Sequence, residues 1–180
     1  MAMNSMNKKL VKEFLSITFA IMIVFWGGCA FISQTFNLTI NHVFLRIMHI
    51  IGGFSPTVAS YISLKRNRKV KNIKDWLTQI FDIKYSIWVY AIVILFVSIY
   101  YILECVLNGF EFGAPAFMII VILPMMLFTG GNEEVGWRMI LQPELEKKFG
   151  FHIATVFTAI IWWIWHLPPC FSSMELLMRI

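Results

Sequence analysis

Charged side chains are scarce in this sequence. Aspartate, glutamate, lysine and arginine make up 14% of its 180 residues, whereas they make up about a quarter of an ordinary soluble domain. Hydrophobic residues reach 59% and are gathered in long runs rather than spaced along amphipathic stripes. A soluble globule is therefore excluded. The sequence predicts an all-α membrane protein in which residues 1–180 form a single membrane domain.

Cysteine and glycine patterns that bind metals or phosphates are missing as well. Cys29, Cys105 and Cys170 are odd in number, far apart and without CxxC spacing, so they are interpreted as packing or lipid-facing residues. No glycine-rich phosphate loop is present. The first apolar run is too long for the core of a signal peptide and has no evident cleavage site, so we expect it to be a retained membrane span.

The apolar runs predict a bundle of about five transmembrane helices. Gly52-Gly53 and Pro56 predict a kink in the second of them. Between the second and third runs, residues 74–82 place Trp76 and its apolar neighbours on one helical face, which predicts an amphipathic helix in the cytoplasmic interface. The five predicted spans cover residues 14–36, 43–64, 85–107, 114–141 and 151–171.

The net charge of +5 comes from basic residues next to the apolar runs. This arrangement fits the positive-inside rule and predicts a multi-pass cell-membrane protein with a cytoplasmic N-terminus. The basic stretches lack interleaved aromatic residues, so membrane lipid rather than nucleic acid is the expected partner. The basic residues in these stretches are Lys8, Lys9 and Lys12, then Lys65, Arg66, Arg68, Lys69, Lys71 and Lys74, and finally Lys147 and Lys148.

Three ionisable residues interrupt the fourth apolar run. Left unpaired at mid-membrane depth, Glu133, Glu134 and Arg138 would cost on the order of 8 kcal/mol. Glu134 and Arg138 are four positions apart, so they can pair on one helical face. This pairing leaves Glu133, rotated by about 100° around the helix, without a local partner.

A partner for Glu133 is available in the fifth run. Glu134 precedes Gly150 by 16 residues and His166 follows it by 16, so an antiparallel hairpin turning at Gly150 would bring the two to matching depth. Two glutamates facing a histidine can activate water, with or without a metal. Two other readings stay open: a structural ion-pair cluster or proton relay for the charged residues, and an interfacial position in an aromatic belt for His166.

Two motifs carry a family resemblance. Glu133-Glu134-x-x-x-Arg138, followed by Trp162-x-x-x-His166 in a Trp-His-Leu-Pro phrase, resembles the CPBP family of intramembrane proteases. This family includes type II CAAX prenyl endopeptidases and bacterial proteins of bacteriocin processing or self-immunity. The resemblance covers about residues 112–171. Trp162 stands where the second family motif has phenylalanine.

The resemblance implies an endopeptidase that cleaves a membrane-associated peptide or lipidated protein with glutamate-activated water. It implies that Glu133 is the base, that Glu134 assists it while paired to Arg138, and that His166 holds the water and stabilises the oxyanion. The family is described both as metalloprotease and as glutamate-dependent protease. A zinc ion held by Glu133 and His166 is therefore part of the expectation.

The sequence departs from the family pattern at its end. A last family motif carries another histidine on a later helix, whereas no histidine follows His166 here. We therefore expect a fragment or a shortened member. His42 and His49 match no family motif and are not assigned to the site. The alternative function is a non-catalytic immunity or chaperone-like factor. A proton-coupled transporter would show pseudo-repeated broken helices, for which the sequence gives no second half.

Overall fold

The computed structural model describes residues 5–38, 41–82, 85–109, 113 and 116–170, and all the regular structure in these ranges is helical. The all-α prediction is confirmed. The helices are α1 (Lys8–Met22), α2 (Gly28–Phe36), α3 (Val43–Gly53), α4 (Ser55–Arg66), α5 (Ile73–Ile80), α6 (Ile87–Asn108), α7 (Ile119–Thr129), α8 (Gly131–Gly136), α9 (Gln142–Phe149) and α10 (Phe151–Trp165). Two π-helical turns, Ile23–Gly27 and Trp137–Leu141, join α1 to α2 and α8 to α9.

The chain divides into two compact units. One consists of Met1–Ile80 with Met126–Ile180, and the other of Phe81–Met125. The buried side chains of the described residues all belong to the first unit. In the second unit every residue of α6 is exposed although the helix is almost wholly apolar. A 22-residue apolar helix without buried residues suits a lipid environment and not water.

Within the described part, two helical stretches are long and apolar enough to cross a membrane, namely Lys8–Phe36 and α6. A third is available if α3 and α4, which meet at an angle of 42°, form one bent span. The bend follows Gly52-Gly53 and precedes Pro56 at the start of α4, so the predicted kink is confirmed. The predicted fourth and fifth spans consist of shorter helices, and the count of five spans stays a prediction.

The predicted fourth span differs most from a single continuous helix. It is interrupted at Gly130, between α7 and α8, and it contains the π turn Trp137–Leu141 before Pro143. Proline lacks an N–H for the preceding turn, which removes one hydrogen bond of the α-helical pattern. A π turn is a common way to absorb such a local change, and such turns occur frequently at functional sites.

Close packing of α8 against α1 and α4 fixes the position of the residues that follow. A Cβ atom on Gly136 would lie 2.7 Å from both the Phe14 ring and the Pro56 carbonyl oxygen. Phe14, fully buried, meets the Trp137 ring edge-on at 5.4 Å. Only glycine permits this approach, so the contact holds α8 against both helices.

The amphipathic segment predicted at 74–82 forms α5, which begins one residue earlier and ends two residues earlier than predicted. Trp76 is buried, donates from Nε1 to the Ser60 hydroxyl at 3.2 Å and packs edge-on against Tyr61. Leu77 and Phe81 on the predicted apolar face remain exposed. The indole therefore anchors α5 to α4, and the position of α5 in a membrane interface stays a prediction.

A buried carboxylate ties α9 to the N-terminal segment. Glu144 accepts hydrogen bonds from the Lys147 ammonium at 2.6 Å and from the Asn7 backbone N–H at 2.7 Å. Burial raises the pKa of the Glu144 carboxyl, but these two donors outweigh burial, so its pKa is lowered from the ordinary value. We call these three residues the Glu144 cluster. Lys8 and Lys147 line one cavity next to this cluster. The cytoplasmic position of both lysines stays a prediction.

Candidate active site

The hairpin of α9 and α10 brings the two motifs together. α9 ends at Phe149, Gly150 turns the chain with a φ of 75°, and α10 begins at Phe151. A positive φ favours glycine, which explains the turn at this residue. As a result, Glu133 Oε2 lies 3.8 Å from His166 Nε2. The proximity predicted from the equal spacing about Gly150 is present in the structure.

Glu133 is largely shielded, with its side chain 14% exposed. Its Oε2 accepts a hydrogen bond from Trp162 Nε1 at 3.1 Å. Trp162 is the residue that stands in place of the family phenylalanine, and phenylalanine has no N–H to offer. The substitution therefore adds a hydrogen bond that orients the glutamate.

A hydrogen bond of His166 indicates the tautomer of its neutral ring. His166 Nδ1 lies 3.1 Å from the Trp162 carbonyl oxygen, one helical turn earlier. A carbonyl only accepts, so we assign the proton to Nδ1, which leaves a lone pair on Nε2 facing Glu133. A separation of 3.8 Å is too long for a direct hydrogen bond and fits a bridging water. Such a water can donate one hydrogen to each residue.

Glu134 and Arg138 form the predicted pair. Arg138 Nε donates to Glu134 Oε2 at 2.6 Å, and the same guanidinium also bonds the Gln142 side chain. Both ionic side chains are well exposed. Because neighbouring helical residues point about 100° apart, this pair lines a separate cavity of about 180 Å³ with Thr155 and Thr158. The structure therefore does not bring Glu134 or Arg138 to the Glu133–His166 position.

The cavity at Glu133 and His166 has a volume of about 490 Å³, in the range of ligand-binding sites. Its walls are chiefly apolar and aromatic, with a small number of polar groups. Trp26 packs against Trp165 at 4.4 Å and against His166 at 6.0 Å between ring centroids. The lining residues are Trp26, His49, Ile50, Gly53, Phe54, Phe128, Thr129, Asn132, Glu133, Trp165, His166 and Pro169.

The sequence did not predict that His49 and Trp26 belong to this cavity. His49, on α3, stacks on the Trp26 ring at 5.4 Å, and Trp26 Nε1 donates to the His49 carbonyl at 2.7 Å. Trp26 lies in a π turn and presses against Gly52, where a Cβ atom would be 2.2 Å from its ring. The spacing of His49 and Gly52, three apart on one helical face, was the available signal, but it does not reveal the partner helix.

The described residues do not by themselves fit a catalytic zinc site. Glu133 and His166 supply two donors, whereas catalytic zinc sites use three protein ligands. Within the described ranges, no three histidine, cysteine, aspartate or glutamate side chains come together in a metal-binding arrangement. Glu133 and His166 can instead act directly on a water molecule as general acid–base groups.

Comparison with known proteins agrees with the motifs. The family model of type II CAAX prenyl endopeptidase Rce1-like proteins matches residues 84–179, more than half of the chain and both motifs. The chain belongs to this family. The resemblance inferred from Glu133, Glu134, Arg138 and His166 is confirmed at the level of the family.

A curated relative is the CAAX prenyl protease 2 of Methanococcus maripaludis. It is 25% identical over 182 residues, which cover 93% of this chain and 64% of the relative. The chain thus spans less than two thirds of the length of that relative. No solved structure matches this chain.

Proposed function

We propose that this protein is an intramembrane endopeptidase that hydrolyses a peptide bond with a water molecule held between Glu133 and His166. The observation that carries the proposal is the 3.8 Å separation of Glu133 Oε2 and His166 Nε2 at the wall of a 490 Å³ cavity. The family membership supplies the reaction class. The two side chains supply the general base and the second acceptor for the water.

The water is activated by two acceptors. It donates one hydrogen to the Glu133 carboxylate and one to the His166 Nε2 lone pair, so its own lone pair is free to attack the peptide carbonyl carbon. As the carbon–oxygen bond forms, Glu133 takes a proton. When the carbon–nitrogen bond breaks, Glu133 returns that proton to the departing amine. The apolar walls exclude bulk water, which strengthens these interactions.

The lining of the cavity indicates which class of substrate it could bind. Ile50, Phe54 and Phe128 offer apolar surface close to the polar groups. The relative from Methanococcus maripaludis is named CAAX prenyl protease 2. We extend that class to this chain and propose a membrane-associated peptide or a lipidated protein as substrate. A multi-pass arrangement in the cell membrane with a cytoplasmic N-terminus is part of the same proposal.

The test is cleavage by the purified protein in lipid vesicles, using peptides with and without a prenylated cysteine. Glu133→Gln and His166→Ala are each expected to lower the cleavage rate by about 10²–10⁴-fold, the usual contribution of general acid–base groups. Matched controls are Glu104→Gln on α6 and His152→Ala on α10, both exposed. These controls are expected to retain the parental rate within about twofold, since neither lines the cavity.

The remaining outcomes separate the alternatives. Inhibition by a chelator and recovery with zinc would place a metal in the reaction, with further ligands from outside the described ranges. The absence of cleavage by folded parent protein would overturn the proposal and favour the non-catalytic immunity or chaperone-like factor. Cleavage that survives both Glu133→Gln and His166→Ala would assign the activity to other residues.

A further inference from the structure

His49 occupies the same cavity as Glu133 and His166 although it comes from a distant part of the chain. Its ring is held in place by stacking on Trp26, and its backbone carbonyl is bonded to the same indole. Trp26 in turn lies 6.0 Å from the His166 ring. One tryptophan is therefore the neighbour of both imidazoles and fixes their relative positions.

The environment of His49 indicates which of its nitrogens carries the proton. Its Nδ1 is buried and has no hydrogen-bond partner among the residues that the structure describes. A neutral imidazole has one donor and one acceptor nitrogen, and buried N–H groups without a partner are rarer than unpaired acceptors. We therefore assign the proton to Nε2. Since Nδ1 is shielded, Nε2 is the polar atom through which the ring can meet the cavity.

The other side-chain N–H donors on the cavity wall are engaged within the protein. Trp26 Nε1 donates to the His49 carbonyl, and Trp165 Nε1 donates to the Ser55 hydroxyl at 2.9 Å. The Asn132 amide donates to the Phe128 carbonyl. Glu133 and the His166 Nε2 lone pair are acceptors in the proposed reaction. Among these lining residues, the imidazole N–H of His49 is the donor left over.

Attack of water on a peptide carbonyl places negative charge on the carbonyl oxygen, and a fixed donor aimed at that oxygen lowers the barrier. We propose that His49 donates from Nε2 to the carbonyl oxygen of the peptide bond and stabilises the oxyanion formed when the water attacks. This role rests on the proposed function. It differs from metal binding, because no described histidine or carboxylate joins His49 in a three-ligand arrangement.

The experiment replaces His49 with side chains that keep or lose a donor at the Nε2 position. The amide nitrogen of His49→Gln reaches near Nε2, that of His49→Asn lies near Nδ1, and His49→Leu has no donor. We expect kcat to fall by about 10²–10³-fold in His49→Leu and His49→Asn, as for other oxyanion donors, and by less than about tenfold in His49→Gln. KM is expected to change by no more than about twofold, because the donor acts on the transition state.

His42→Gln is the matched control, because His42 is exposed at the start of α3 and does not line the cavity. Thermal unfolding of each variant in the same detergent separates loss of structure from loss of rate. An active parent with an undiminished His49→Leu rate would overturn the role of His49 and leave the proposed function standing. Equal losses in the Gln and Asn variants with lowered Tm would show a structural role and also overturn it. An inactive parent would overturn both proposals together.

Discussion

Two carboxylates eleven positions apart, Glu133 and Glu144, are both shielded from solvent, and they are satisfied in different ways. Their side chains are 14% and 7% exposed. Glu144 is bonded to an ammonium group and a backbone N–H, both at short distance. Glu133 receives a hydrogen bond from a neutral indole and faces an imidazole that is too distant for direct bonding. One carboxylate has its partners within the protein, whereas the other has acceptor capacity left over.

The difference separates a structural role from a chemical one. A buried charge is tolerated when it is paired and hydrogen-bonded, and the Glu144 cluster meets that condition. Glu133 is hydrogen-bonded but has no ion-pair partner at bonding distance among the described residues, and it lies beside a cavity that can receive a substrate. Because Glu133 still has acceptor capacity, a water can donate hydrogen bonds to both Glu133 and His166 and be oriented by them. Substitutions can therefore distinguish the chemical role proposed for Glu133 from the structural role of Glu144.

Among the variants that compare the surroundings of these two carboxylates, the largest effect is expected at Gly136, whose close packing positions α8 and with it Glu133. Gly136→Ala would place a methyl group 2.7 Å from the Pro56 carbonyl and the Phe14 ring, so α8 must move. Overpacking of this kind costs about 1–3 kcal/mol of stability. Displacement of Glu133, three residues away, by about 1 Å is enough for a roughly 10²-fold loss of rate. Unfolding in detergent and cleavage in vesicles measure the two effects.

Gly130→Ala is the control for this substitution, since a Cβ atom there meets its nearest neighbour at an ordinary 3.7 Å. Its stability and rate are expected to stay close to those of the parent. If Gly136→Ala behaves like Gly130→Ala, the packing of α8 against α1 and α4 is not what positions Glu133.

The hairpin at Gly150 and the Glu134–Arg138 pair could be predicted because both follow from local spacing. The kink before Pro56 could be predicted for the same reason. The entry of His49 into the cavity could not, because it depends on which helices pack together. The π turn Trp137–Leu141 changes how the residues after it are rotated about the helix axis, and apolar periodicity does not reveal this change. Adjacent glutamates look equivalent in the sequence, yet the helix directs them to separate cavities.

Glu144→Gln is expected to have the second-largest effect, on stability alone. It removes the charge that Lys147 and the Asn7 N–H are bonded to, at a cost of about 1–3 kcal/mol. Cleavage per folded molecule is expected to remain within about twofold of the parent, because Glu144 does not line the cavity. Glu104→Gln on the exposed surface of α6 serves as the control for loss of one carboxylate charge. A large rate loss in Glu144→Gln would contradict the assignment of a structural role.

The lowered pKa of Glu144 predicts how the stability of the protein depends on pH. Because the folded protein lowers the pKa of Glu144 from its ordinary value of 4.5, the stabilisation is fully present above that value and is lost as the pH falls through the lower folded-state pKa. The difference in free energy of unfolding between parent and Glu144→Gln is therefore expected to be constant near neutral pH and to shrink in acid. Unfolding measured at several pH values checks this. A difference that grows in acid would mean that the folded state raises this pKa.

Trp162→Phe is expected to have the smallest effect and probes the less satisfied carboxylate directly. It restores the family phenylalanine and removes the hydrogen bond from Nε1 to Glu133 Oε2. We expect a rate loss of about threefold to tenfold with little change in stability, because the ring remains while the carboxylate loses its orientation. Cleavage rates and unfolding of the variant in the same vesicles and detergent measure both. An unchanged rate would show that the bridging water and His166 orient Glu133 without the indole. A loss as large as that of Glu133→Gln would instead make the indole hydrogen bond indispensable, and Glu133 would then resemble Glu144 in depending on its protein partners.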